Sequence, residues 1–265
     1  MQMTHIQQLV YMVDKYDAMH DRFISLLKSV PKKIGRKGGM AKNDREVIEC
    51  LRNGHALSFD PSLKHLDLGG LPITAKEAGH IAVALKGNMS LKSLSFYVNY
   101  MGDKEVQIIV EALMNNTTLT DLCFDHNKIT AVGACCIASL LKNNTSLTMM
   151  SLDDNLIDDE GTQFIASALE HNKTLKTLYL SGNKIGNSGS RCIAKALKIN
   201  KSLETLDVEF NNIGEEGACY IAEALKINES LTRFKHENNN PISIIPRRII
   251  SASLKRNCEL VGVDY

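Results

Sequence analysis

Leucine returns every 28 residues along this chain. It stands at Leu63, Leu91, Leu119, Leu147, Leu175, Leu203 and Leu231, seven times in one register. Counting that leucine as the first residue of a unit, the fourth is Leu66, Leu94, Leu122, Met150, Leu178, Leu206 and Phe234. The sixth is Leu68, Phe96, Phe124, Leu152, Leu180 and Val208, with His236 as the exception. The ninth is Asn99, Asn127, Asn155, Asn183, Asn211 and Asn239, with Leu71 in the first unit. Self-similarity at this period points to stacked supersecondary units, because one unit cannot bury its apolar faces alone.

The two halves of the unit read differently. The pattern LxxLxLxxN alternates apolar and variable residues, as a short strand with one buried face does. The second half carries Ile81, Ile109, Ile137, Ile165, Ile193 and Ile221, followed four residues later by Leu85, Leu113, Leu141, Leu169, Leu197 and Leu225. Apolar residues at that spacing share one helix face. Gly133, Gly161, Gly189 and Gly217 fall near the helix start. Asn88, Asn116, Asn144, Asn172, Asn200 and Asn228 follow the last turn, where a left-handed C-terminal cap is expected. The ninth-residue Asn is expected to bond loop backbone groups that the turning chain leaves unpaired.

These residues, quoted as LTDLCFDHN (119–127) and LKTLYLSGN (175–183), resemble the leucine-rich repeats of ribonuclease inhibitor, NOD-like receptors and Ran GTPase-activating proteins. The resemblance covers about residues 57–265. It implies an α/β fold: a right-handed leucine-rich-repeat solenoid, or horseshoe, with parallel strands on the concave face and helices on the convex face. The expected organisation is a helical N-terminal extension and cap over 1–56, then repeats over 57–265, seven full units from Leu63 plus a C-terminal cap. Compact repeat-only chains are also similar to bacterial effector proteins that act in a host cytosol. Fold does not name function, so such an origin is a guess from architecture.

A solenoid needs closed ends. Asp44 to Asn53 reads as a short helix serving as the N-terminal cap. Before it, Ile6, Leu9, Val10, Val13, Tyr16, Phe23, Leu27 and Val30 recur at helical spacing, stopped by Pro31. A basic linker with Lys32, Lys33, Arg36 and Lys37 follows and lacks the order of a nucleotide-binding loop. At the other end, Ile250, Leu254, Asn257, Leu260 and Val263 match Ile221, Leu225, Asn228, Leu231 and Phe234 at a spacing of 29, a one-residue slip. The slip lies in a stretch with Pro241 and Pro246, and a last strand is expected near Leu260 to Val263.

Composition narrows the function classes. A formal net charge of +1 supplies no overall field for nucleic acid or membrane. The seven cysteines are an odd number without a CxxC pair, which argues against a disulfide framework or a zinc module. Neither a signal peptide nor an apolar run of bilayer length is apparent. A cytoplasmic location is expected, or secretion into a host cytosol if the chain is an effector.

The open face of the sheet is the expected partner-binding surface. Its third, fifth, seventh and eighth unit positions include Asp121, Asp125, His126, Asp153, Asp154, Asp207 and Glu209. Tyr97, Tyr179 and Phe210 are interleaved with them, and Met149 adds an adaptable apolar contact. Arg233 and Lys235 are the basic members, both in the last full unit. Carboxylates in a row favour a basic or mixed protein surface and repel phosphate backbones. The expectation is a monomeric protein-binding module with a protein partner, no nucleic acid, no membrane, no cofactor and no catalytic or metal site. The family resemblance also raises a GTPase-activating regulator and a ribonuclease-inhibitor-like inhibitor, though no residue matches a local motif of either. Cys123 beside Asp125 and His126 is weighed as a nucleophile, and Asp125, His126, Asp153 and Asp154 as metal ligands; both readings are set aside.

Overall fold

The computed structural model describes residues 43–236 and 242–263. The expected helix over 4–30 and the basic linker lie outside these residues. Helix α1 (Asp44–Asn53) comes first, and the units follow as strand–helix pairs. They are β1 (His65–Asp67), α2 (Ala75–Leu85), β2 (Ser93–Ser95), α3 (Asp103–Leu113), β3 (Asp121–Cys123), α4 (Ala131–Asn143), β4 (Met149–Ser151) and α5 (Asp159–Leu169). Then come β5 (Thr177–Tyr179), α6 (Asn187–Ile199), β6 (Thr205–Asp207), α7 (Glu215–Leu225), β7 (Arg233–Lys235) and α8 (Ile244–Val261). The seven strands form one parallel sheet in sequence order, each residue paired with the one 28 positions on. The chain is therefore an α/β leucine-rich-repeat solenoid.

The core is one continuous column. First-, fourth- and sixth-position side chains meet the Ile and Leu of the helix behind them, and nearly all are buried. Phe96 and Phe124 stack within it, centroids 5.3 Å apart. Burying such side chains stabilises by roughly 1.5–3 kcal/mol each before chain entropy is counted.

Two asparagine ladders hold the units in register. Asn127 Nδ2 donates to the carbonyls of Phe96 (2.7 Å), Phe124 (3.0 Å) and Asp125 (3.0 Å), while its Oδ1 accepts from the N–H of Met101 at 2.8 Å. Asn155, Asn183 and Asn211 repeat this bonding. The second ladder corrects an expectation. Asn144 (φ −76°) and Asn200 (φ −67°) are extended rather than left-handed. They act through their side chains: Asn200 Oδ1 accepts from the N–H groups of Ser202 and Leu203, and Nδ2 donates to the carbonyls of Leu169 and Asn172. An amide can satisfy both its own turn and the neighbouring unit.

A third set of bonds starts helices α4, α6 and α7 from the unit before. Asp159 Oδ1 accepts from the N–H groups of Gly186 (2.6 Å) and Gly189 (2.8 Å) of the next unit, and Asn187 does the same for Gly214 and Gly217. A Cβ on Gly189 would stand 2.7 Å from Asp159 Oδ1, so glycine is needed there for close approach rather than for capping its own helix.

The ends differ from the middle. Helix α1 has the expected bounds and places Val47, Ile48 and Leu51 on the core. At the other end Ile250, Leu254 and Asn257 are buried as the slipped register requires, but Leu260 to Val263 form no strand. Helix α8 runs through Val261 and ends on Gly262 at φ 71°, leaving Leu260, Val261 and Val263 exposed. The pattern there carries the first and fourth positions, but among the described residues no following helix packs against them.

Candidate protein-binding face

The third and fifth residues of each strand project away from the helices, and the seventh and eighth line the rim where each strand ends. Backbone shape sets that rim. The eighth residue is left-handed at His126 (φ 53°), Asp154 (φ 53°) and Phe210 (φ 52°), and also at Val98 (φ 53°), a position glycine fills as Gly70 and Gly182. A branched residue such as Val98 is strained in this region and persists because the ladder bonds on either side hold the turn.

The carboxylates on this face are partly committed to backbone. Asp125 Oδ1 accepts the N–H of Asp153 at 2.9 Å, and Asp153 Oδ1 accepts the N–H of Ser181 at 2.7 Å. They form a relay one unit long at each step. Burial, with Asp125 beside it, pushes the Asp153 carboxyl up to about 8; the Ser181 N–H works against that rise, and Asp207 and Asp154 add to it. Among the described residues, no Lys or Arg forms an ion pair with Asp125 or Asp153.

The other expected residues fall into groups. His126 is only 8% exposed; its Nε2 lies 3.0 Å from Asp154 Oδ2, and Tyr97 meets its ring edge-on at 5.0 Å. Asp154 covers Gly182, where any Cβ would collide with the carboxylate. Asp207 is 4% exposed, accepts from the Glu209 N–H, and pairs with Lys235 Nζ at 3.1 Å. That carboxylate raises the Lys235 pKa, and Lys235 also lies 5.9 Å over the Tyr179 ring. Asp121 accepts from Thr120 Oγ1 and is aligned with Met149 on the next strand. Phe210 is 37% exposed and Arg233 stands exposed on the last strand. The structure thus gathers Tyr97, Asp125, His126, Asp153 and Asp154 at the rim of the middle units, and Tyr179, Asp207 and Lys235 two strands further on.

Tyr100 and Lys128 belong to the same rim and lie outside the residues expected from sequence. Tyr100 is 58% exposed at φ 57°, with Lys128 Nζ 5.6 Å over its ring. They sit at the tenth unit position, beyond the LxxLxLxxN template, so nothing in the repeat pattern marks them. The thiol of Cys123 is held protonated by burial and by Asp125, which raises its pKa, so it does not present a thiolate. All seven cysteines are free. No helix among the described residues is long and apolar enough to cross a membrane.

Three stretches, residues 115–138, 171–194 and 200–222, match a family model described as a leucine-rich repeat. No curated protein matches this chain. Among solved structures the chain is similar to actin-binding site 2 of leiomodin-1, with a TM-score of 0.43 and 21% identity over 82% of this chain and 91% of that one. It is also similar to the C-terminal domain of tropomodulin from Caenorhabditis elegans, with a TM-score of 0.47 and 16% identity over 72% of this chain and 96% of that one. Its seven parallel strands in one register, its intervening helices and the three matched stretches make this chain a leucine-rich-repeat protein.

Proposed function

We propose that the chain is a protein-binding module that takes a basic or mixed protein surface on the acidic-aromatic open face of its sheet. The observation that carries this reading is the Asp125–Asp153 row. Two carboxylates lie side by side, and among the described residues neither is neutralised by Lys or Arg. The charge on Asp125 helps hold the proton on Asp153, so a Lys or Arg of a partner placed there would draw that proton off and pair with both carboxylates. Tyr97, Tyr179 and Phe210 flank the row with half-exposed rings, the side chains best suited to carry binding energy. Such a surface acts by holding a partner, without bond-making chemistry.

The test uses amide substitutions, because charge reversal would also remove the acceptors for Ser181 and Asp153. Asp125→Asn with Asp153→Asn keeps shape and hydrogen bonding and removes both groups that can carry negative charge against a partner cation. Quantitative affinity capture from cytosolic extract, followed by crosslinking and mass spectrometry, should show proteins held by the wild type and lost from the double variant. Crosslinks should run from partner lysines to this face. Identical capture by both forms would refute the proposal.

A further inference from the structure

In a parallel sheet, alternate residues of a strand bond to alternate neighbours. Phe124 N–H donates to Ser151 O, Leu152 N–H to Tyr179 O and Val208 N–H to Lys235 O, each unit serving the next. In β7 the main chain of Arg233 and Lys235 faces β6, and that of Phe234 faces the side on which an eighth strand would lie. Among the described residues no strand occupies that side. A groove of about 630 Å³ lies against β7; Phe234, Leu254, Cys258 and Val263 line it there, and Thr177 and Thr205 extend it across β5 and β6. A second groove of about 670 Å³, lined in part by Val261 and Val263, adjoins it. Leu260, Val261 and Val263, at 61%, 54% and 51% exposure, leave apolar surface beside an open sheet edge.

The charge of this edge is opposite to that of the middle units. Arg233 and Lys235 stand before and after the inward Phe234 on the open face; Lys235 is paired with Asp207 at 3.1 Å, and among the described residues Arg233 forms no ion pair. The carboxylate on the groove wall, Glu204, is paired with Lys176 at 2.7 Å. A second copy of this chain fits poorly, because joining two β7 edges about a twofold axis would set Arg233 opposite Lys235, and like charges directly opposite destabilise a ladder. We propose that the outer edge of β7 binds an extended segment of a partner protein as an added strand, and that this segment carries carboxylates at alternate positions around a small apolar residue. Main-chain bonds to Phe234 supply the pairing. The apolar residue enters the groove, and the carboxylates meet Arg233 and Lys235. This site is separate from the acidic face and does not depend on it.

The test uses two labelled hexapeptides, one alternating Glu and Val and one alternating Lys and Val, with fluorescence anisotropy as the readout. The acidic peptide should bind, weaken with added salt, and lose at least about tenfold in affinity to a chain carrying R233E and K235E. Melting curves check that this variant is folded. Methylating alternate backbone nitrogens of the acidic peptide tests the wild-type chain directly and should abolish binding in one of the two phases of alternation. D125N with D153N should leave the acidic peptide unaffected while weakening the Lys–Val peptide, which separates this proposal from the one above. The proposal fails if the acidic peptide does not bind, if neither methylated peptide loses affinity, or if charge reversal changes nothing; Arg233 and Lys235 would then only guard the edge against aggregation. It also fails if sedimentation shows that the chain pairs with itself through this edge.

Discussion

The middle units and the last unit are built on one template and are finished differently. In the middle, the backbone groups of a strand are shared between the strands on either side, the turns are held by asparagines, and helices α4, α6 and α7 start on an acid or amide one unit before. Among the described residues the strand of the last unit has no successor, and helix α8 runs over the residues whose pattern matches one. Charge follows the same division: carboxylates concentrate on the middle units, and Arg233 and Lys235 on the last. A repeat lends its neighbour half of its bonding, so a position in the middle is satisfied twice and the same position at the end only once.

The largest expected effect that tests this comparison is on the asparagine ladder. Asn155→Ala deserts the carbonyls of Phe124, Leu152 and Asp153 and the N–H of Ile129, all in the interior. Buried groups left unpaired cost roughly 1–3 kcal/mol each, partly recovered by relaxation, so a loss of about 4 kcal/mol is expected in urea unfolding. Asn257→Ala loses one bond to the neighbouring unit, from Nδ2 to Leu231 O, and the Oδ1 that accepts from the part-exposed Arg256, and should cost about 2 kcal/mol. Equal losses would show that the end is as tightly held as the middle.

Glycine gives the next contrast. Gly182 (φ 67°) lies under Asp154, whereas Gly262 (φ 71°) has open space where a Cβ would go. Both pay the left-handed penalty when replaced by alanine, of about 1 kcal/mol, and only Gly182→Ala adds a collision, for about 3 kcal/mol in all. The difference between the two melting shifts measures the packing of the rim.

Asp153 provides a pH-dependent test. Its carboxyl is raised from the ordinary aspartate value to about 8, so between these values the folded chain holds a proton that the unfolded chain has released. Stability from this group is full below the unfolded value, near pH 4, and is lost as pH rises to about 8. Asp153→Asn should flatten that slope and be the more stable form at pH 8.5, by about 2 kcal/mol after discounting for partial exposure. Urea midpoints of the two proteins at pH 5 and pH 8.5 read the effect, and parallel pH slopes would contradict it. The smallest contrast is between cations. Lys235→Ala strands the buried Asp207 and should cost about 1 kcal/mol. Lys176→Ala breaks an exposed pair with Glu204 and should change stability by less than about 0.5 kcal/mol.

Much of this was legible from residues alone, for a physical reason. Interior positions such as Leu122, Ile137 and Asn127 recur at one spacing because each sits in the same environment, and a repeated environment leaves a repeated letter. The bounds of α1 and the burial of Ile250 and Leu254 follow from the same register. The rim was less legible. The tenth position holds Pro72, Tyr100, Lys128, Leu156, Lys184, Asn212 and Asn240, a mixture that makes no pattern. The capping role of Asp159 was hidden because its partners, Gly186 and Gly189, lie in the next unit. Leu260 and Val263 misled because they keep the strand pattern where helix α8 continues and leaves both exposed.

The sequence by itself determined the period, the strand–helix alternation and the faces that turn inward, since each is set by local spacing and the need to bury apolar side chains. Only the tertiary structure decided which asparagine bonds which carbonyl, that Asp125 and Asp153 lie side by side, and that among the described residues no strand follows β7. Those facts depend on contacts between residues a whole unit apart, where stacking sets the distance and the local chain does not.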